Sequence, residues 1–263
     1  MNQARIYKTK MRKFSNITYN GGSRWIELCD DCIYFMVGEP QDNQFIRGEI
    51  ADLDYDQLNY LSPSIPSKVI GVGWNYKDLV GEQDVYPEPI VFLKSPTSIC
   101  AHDTKIKFPN IVEKVWVEVE LVIVIGRECS NVAASEAHDY ILGHTIGSDI
   151  TALNIHDRDW HLARSKAFDD FAPIGPFLIT GLNTENLTLK STINGREAQV
   201  GNTSSRILND NELIALISSM MTLTPGDVIF TGTPARATEA LVQPGDRVQH
   251  NIEGFGELNF EIT

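Results

Sequence analysis

The chain has 263 residues, 42% of them hydrophobic and 22% charged, a composition that excludes disorder and low complexity. Its 22 basic and 35 acidic residues leave a net charge of −13. A chain so acidic has no general pull toward a nucleic-acid backbone or an anionic membrane, so neither is expected as a partner. Any anionic ligand must be held by a few local cations or by a metal ion.

Six basic residues precede the first acidic one, Glu27. The segment lacks the apolar core of a secretory signal and carries turn residues at Asn20-Gly21-Gly22, and no apolar run approaches the roughly 18 residues of a membrane span. A cytoplasmic location is the expectation. Short strands are expected at Ala4–Tyr7, Trp25–Leu28 and Ile33–Val37, then a short helix near Tyr55–Leu61. The Asp52-Leu-Asp54-Tyr-Asp56 run mimics a calcium loop but has Gln57 and Pro63 where that loop needs Gly and Glu, and it reads as a helix start. Four cysteines (Cys29, Cys32, Cys100, Cys129) are too few for a disulfide scaffold. Cys29 and Cys32 lie in a strand-like alternation rather than at a helix start, and read as structural thiols.

The Pro/Ser run from Ser62 to Ser67 is the expected boundary between a small N-terminal β domain (1–62) and a larger domain (63–263). Beyond it, strands are expected at Lys68–Val72, Ile90–Leu93, Val115–Ile125, Phe177–Thr180, Leu187–Ile193, Asp227–Thr231 and Arg247–Ile252. A short polar helix should follow Gly73-Trp-Asn75-Tyr76, and an amphipathic helix is expected near Asn211–Met221. Strands outnumber helices without alternating with them, so the fold class is a strand-dominated α+β.

The most informative segment is Val115–Ile125. Val117, Val119, Leu121, Ile123 and Ile125 share one strand face; Trp116, Glu118, Glu120, Val122 and Val124 share the other. Two carboxylates thus sit side by side, roughly 6.5–7 Å apart at Cα, on a strand expected to be buried on both sides. Anions so placed require a proton or a cation between them. Three readings compete: solvated glutamates on an edge strand, a glycosidase pair, and a divalent-metal site. The glycosidase pair needs about 5–5.5 Å in retaining enzymes and sugar-stacking aromatics, of which Trp116 supplies little. The metal reading is preferred, because glutamates are hard oxygen donors suited to Mg²⁺ or Mn²⁺ and Asp149 offers a third carboxylate.

At these residues the sequence resembles the fumarylacetoacetate hydrolase family. Glu118-Val-Glu120-Leu matches its E-x-E-L metal strand, and Asp149 in Ser-Asp-Ile-Thr-Ala matches its third ligand. Gly73-Trp-Asn75-Tyr76 matches the G-x-N-Y that opens a mobile lid, Phe92-Leu-Lys94 the F-x-K strand, and Ser165-Lys166 the active-site lysine. Asn194-Gly195, Gly201–Ser204, Leu223–Asp227 and Thr231–Pro234 follow in the family's order.

The resemblance implies a mixed β-sandwich roll behind a small N-terminal β domain, usually in a homodimer. It also implies action on a small anionic 2-oxo acid, β-diketo acid or enol by C–C hydrolysis, decarboxylation or isomerisation. The metal, Mg²⁺ or Mn²⁺ on Glu118, Glu120 and Asp149, would stabilise an enolate. Lys166 would oppose the developing oxyanion, and Lys94, Tyr76 and Thr233 would contact substrate.

Three departures stand out. The lid pattern N-Y-x-x-H-x-x-E has Leu79 in place of its histidine, leaving Glu82 as the remaining catalytic carboxylate. A leucine cannot take a proton from water, which favours decarboxylation or isomerisation over hydrolysis. After Asp149, T-A-R-D-x-Q becomes Thr151-Ala-Leu153-Asn154-Ile-His156. His156 then stands at a substrate-contact position, with Arg158, His161 and Arg164 as candidates to compensate. Thr233-Pro-Ala-Arg236 lacks the usual glycine. C–C hydrolysis of an acylpyruvate-like compound, and a diverged metal-binding protein without turnover, remain the alternatives.

Overall fold

The computed structural model describes residues 10–42, 44–81, 88–154 and 157–263. The strand expected at Ala4–Tyr7 lies outside them. Two sheets carry the fold. The larger runs in the order Ile46–Ala51, Ile33–Val37, Gly22–Leu28, Arg12–Tyr19, Leu178–Thr180, Ile141–Ser148, Val119–Ile125, Val228–Phe230, Val69–Gly73, Ile90–Lys94. The N-terminal strands therefore continue the sheet that holds the carboxylates, joined where Arg12 pairs with Thr180. The smaller sheet orders Arg196–Asn202, Thr188–Ile193, Arg247–Ile252, Gly256–Ile262 and Lys105–Ile106. The strand-dominated α+β class holds.

The strand Val119–Ile125 is buried along its whole length. Its alternation explains how it serves two neighbours on one face. Val119 and Leu121 pack with Leu189, Val248, Ile252 and Leu258 of the smaller sheet. Ile123 and Ile125 pack instead with Leu213, Ile214 and Ile217 of the helix Asp210–Met220. Val122 and Val124 join Phe14, Leu178 and Phe230 on the opposite face. The helix starts with a capping box: Asn209 accepts from the Asn211 and Glu212 amides while Glu212 accepts from the Asn209 amide. Burying each of its three aliphatic side chains is worth about 1.5–3 kcal/mol.

Two expected elements differ. The helix near Tyr55–Leu61 is only a 3₁₀ turn, Tyr55–Gln57, capped by Asp54. Tyr60–Leu61 is strand, paired with Ile17 and Asn16; so short a helix gains too few hydrogen bonds to resist that ladder. The strand expected over Val115–Ile125 breaks into Val115–Trp116 and Val119–Ile125. At the break, Val117 donates its amide to Ala240 O and Val119 donates to the Gln199 side chain. The thiols of Cys29 and Cys32 are unbridged, at a turn closed by the Cys29 amide on Cys32 O. Among the described residues no helix is long and apolar enough to cross a membrane.

His250 is fully buried between the sheets, its Nε2 2.9 Å from Ser148 Oγ and its ring edge-on to Phe260. Burial pushes its pKa down to about 3, so the folded ring stays neutral where the unfolded one, near 6.5, takes up a proton. The unfolded state then binds more protons, and stability falls as pH drops through the window from about 6.5 to about 3, at up to about 1.4 kcal/mol per pH unit from this group. Urea midpoints measured across that window should fall less steeply for His250→Gln than for the wild type. Equal slopes would remove His250 as the cause.

Candidate metal and substrate site

The sheet register assembles the carboxylates. Glu120 pairs with Gly147 and Val119 with Ser148, so Asp149 emerges at the end of Ile141–Ser148 with its amide donating to Glu118 O at 3.0 Å. On the other side, Thr231 donates its amide to Leu121 O, and the Gly232 amide reaches Glu120 Oε2 at 2.7 Å. Gly232 takes φ +96° with Asn75 close against it, a conformation that favours glycine. Asn75 is fully buried and binds Leu208 O and Thr231 O through Nδ2, and the Leu208 amide through Oδ1. That explains the asparagine in Gly73-Trp-Asn75-Tyr76: its amide ties this turn to two other segments.

One carboxylate oxygen from each of Glu118, Glu120 and Asp149 lies within 4.8 Å of the others, all buried. Lys94 Nζ donates to Asp149 Oδ1 at 2.5 Å and to Ile150 O at 3.1 Å. Lys166 Nζ donates to Asp149 Oδ2, to Thr151 Oγ1 at 2.6 Å and to Glu118 Oε2 at 3.3 Å, and lies 4.8 Å from the Phe92 ring centre. The Trp116 indole donates to Glu118 Oε1 at 2.6 Å. Phe92 lies across Gly71, where an added Cβ would meet the ring at 2.2 Å.

Burial alone would raise the Asp149 carboxyl, but the two ammoniums outweigh it and hold it below the ordinary range. Glu120 goes the other way: burial, then the charges of Asp149 and Glu118, push it well above the usual carboxylate value. For Lys166, burial is outweighed by Asp149 and Glu118, so its pKa rises and the side chain keeps its proton. For Lys94, burial wins over Asp149 and the pKa falls.

These groups fit a divalent metal. Three hard oxygen donors converge, and with all side chains ionised two ammoniums leave one negative charge uncompensated. Glu118, Glu120 and Asp149 would hold the ion, as expected from the sequence.

A cavity of about 280 Å³ opens over them, with Glu118, Glu120, Thr151, Lys166 and Thr233 on its wall. Leu79 lines the same cavity. Lys94, expected to contact substrate, is instead set against Asp149 and does not line the cavity. Tyr76 does not line it either: it is fully buried, and its hydroxyl has no hydrogen-bond partner among the described residues. Thr233 Oγ1 donates to Val119 O at 3.0 Å and accepts from Gln199 Nε2 at 3.2 Å. Glu82 and His156 lie outside the described residues. Arg158, His161 and Arg164 are exposed and absent from the cavity wall.

Sequence reasoning missed Gln199 and Thr151. Gln199 is fully buried and ties the Val119 amide to Thr233 and Pro234 O; one amide in a strand carries no signal of that role. Thr151 could have been found from its place two residues after Asp149.

The fold is that of the fumarylacetoacetate hydrolase family, and the chain belongs to it: the family's fumarylacetoacetate (FAA) hydrolase C-terminal profile matches residues 68–263. Among relatives, a human mitochondrial oxaloacetate tautomerase is 34% identical over 231 residues, covering 81% of this chain and 72% of its own. Among solved structures, a 2-hydroxyhepta-2,4-diene-1,7-dioate isomerase from Mycobacterium marinum superposes with a TM-score of 0.85 at 32% identity, covering 97% of this chain and 98% of its own. A 5-carboxymethyl-2-hydroxymuconate delta-isomerase from Mycobacterium smegmatis gives 0.83 at 33% identity, covering 95% and 99%.

Proposed function

We propose that this chain is a Mg²⁺- or Mn²⁺-dependent enzyme that works through the enolate of a 2-oxo acid, by keto–enol or double-bond isomerisation or by decarboxylation, rather than by water attack. The carrying observation is Leu79 on the cavity wall beside a complete carboxylate triad. The bound ion would supply Lewis acidity toward the oxo and carboxylate oxygens. Lys166, held protonated, opposes the negative charge that builds on the enolate oxygen. Trp116 and Thr151 fix Glu118 by hydrogen bonds, and Lys94 fixes Asp149, so the acidic cluster is preorganised. Leu79, Phe92 and Leu162 line the cavity with apolar surface that keeps water from the reacting carbon. Among the described residues of the wall, the only titratable groups are Glu118, Glu120 and Lys166; Glu82 and His156 are the further candidates for proton transfer. The names of the human and mycobacterial relatives, a tautomerase and isomerases, support the same reaction class. A homodimer is part of the proposal, and light scattering reads it.

Enol forms of 2-oxo acids should lose their ultraviolet absorbance faster with protein and Mg²⁺, and acetylpyruvate should not be split to acetate and pyruvate at a comparable rate. Rapid splitting would establish the C–C hydrolase instead. No turnover of any 2-oxo acid would leave a metal-binding protein without catalysis.

A further inference from the structure

A pair of thiols lies near the N-terminal end of the large sheet, with three strands between its hairpin and Val119–Ile125. That hairpin joins Gly22–Leu28 to Ile33–Val37, and Leu28 pairs with Ile33. Cys29 and Cys32 are the next residues out, and the Cys29 amide donates to Cys32 O at 3.0 Å across the Asp30-Asp31 turn. Residues opposed in this way carry their side chains on the same face. The Cα atoms of a hydrogen-bonded antiparallel pair are about 5.5 Å apart, within the roughly 4.4–6.8 Å that a disulfide spans. A hairpin therefore offers this C-x-x-C what a helix start offers the usual redox motif: two sulfurs that can meet without moving the backbone.

Both thiols are free and partly exposed. Arg47 is fixed beside them by Glu27, to which its Nε and Nη2 donate at 2.6 and 2.8 Å, and Nη2 also reaches Cys29 Sγ at 3.4 Å. A guanidinium so placed stabilises a thiolate. Burial raises the Cys29 thiol and Arg47 lowers it, while Glu27 and Cys32 raise it again, Cys32 partly through a hydrogen bond between the two side chains. The net rise makes Cys29 a poor leaving group, which disfavours reopening a bond once it has formed. Cys100 and Cys129 differ, since both are buried, and burial pushes the Cys100 thiol up to about 12.

The geometry points to a reversible disulfide between Cys29 and Cys32, formed by exchange with a small-molecule disulfide and separate from the acidic cluster. One thiolate attacks a sulfur of the small disulfide, expels one small thiolate and leaves a mixed disulfide. The other thiolate attacks the protein sulfur of that bond, closes Cys29 to Cys32 and expels the second small thiolate. Two protein thiols are oxidised, the small disulfide is reduced to two thiols, and the two protein protons pass to them.

The test treats the native protein with oxidised glutathione, alkylates the remaining thiols and reads each cysteine by peptide mass spectrometry. Before oxidation Cys29 and Cys32 should be alkylated in the folded protein, and Cys100 and Cys129 only after unfolding. Oxidised glutathione should abolish alkylation of Cys29 and Cys32 together, leaving their peptide lighter by two hydrogens with no glutathione attached, and dithiothreitol should restore both thiols. In Cys29→Ser and Cys32→Ser the remaining thiol has no partner to resolve the first exchange, so glutathione should stay on it. Wild-type protein that keeps glutathione on either cysteine, or whose two thiols stay fully alkylated in excess oxidised glutathione, overturns the proposal.

Discussion

Replacing Glu120 by glutamine is expected to abolish metal-dependent turnover and leave the folded protein at least as stable as before. The substituted amide side chain keeps an oxygen for the Gly232 N–H, so the local backbone stays tied. What disappears is a buried charge that Asp149 and Glu118 already disfavour. Without metal, the melting temperature of Glu120→Gln should therefore equal or exceed that of the wild type. With Mg²⁺ or Mn²⁺, the wild type should be stabilised in proportion to binding while the variant is not. Affinity for the ion and kcat/KM should each fall by at least about 100-fold. A variant that is still stabilised by metal would place the ion elsewhere.

Lys166→Met should be the second most damaging change, and for a different reason. Methionine keeps most of the side-chain length, but the ammonium bonded to Asp149, Glu118 and Thr151 is lost. Turnover should fall by about 10²–10³-fold, the scale of removing one donor from a preorganised oxyanion site. Lys166 also offsets two buried carboxylates, so the metal-free variant should melt lower than the wild type and recover when metal is added. That pattern is opposite in sign to Glu120→Gln without metal. A change in KM alone, with kcat preserved, would reduce Lys166 to a binding group.

The contrast between these variants shows what could be read from the sequence. Glu118 and Glu120 were legible because a strand buried on both faces makes two polar positions conspicuous. Their distance from Asp149 was not: it depends on the pairing of Val119 with Ser148, a register set by long-range packing. Leu79 was legible as a residue that cannot act as a base, and the cavity wall is where it sits. The contact of Lys94 with Asp149 was not legible, because a lysine bonded to a buried aspartate and one facing a ligand look alike in sequence. The inward packing of Tyr76 was not legible either, since an aromatic at such a turn can pack inward as readily as toward a cavity. The interruption at Val117 escaped notice because its causes, Ala240 O and the Gln199 side chain, lie far along the chain. Strands as short as Lys105–Ile106 and Leu241–Val242 carry too few residues for periodicity to show. The amphipathic helix, by contrast, was found within one residue at each end, because its cap and its apolar stripe agree.

The most direct measurement is proton exchange at C3 of phenylpyruvate in D₂O, followed by NMR with the protein and Mg²⁺. Formation of an enolate at the acidic cluster requires the C3 protons to be replaced by deuterium faster than in buffer, with exchange lost on chelation and regained on adding Mg²⁺. Exchange that ignores the chelator, or a bound 2-oxo acid whose C3 protons stay in place, would contradict the account.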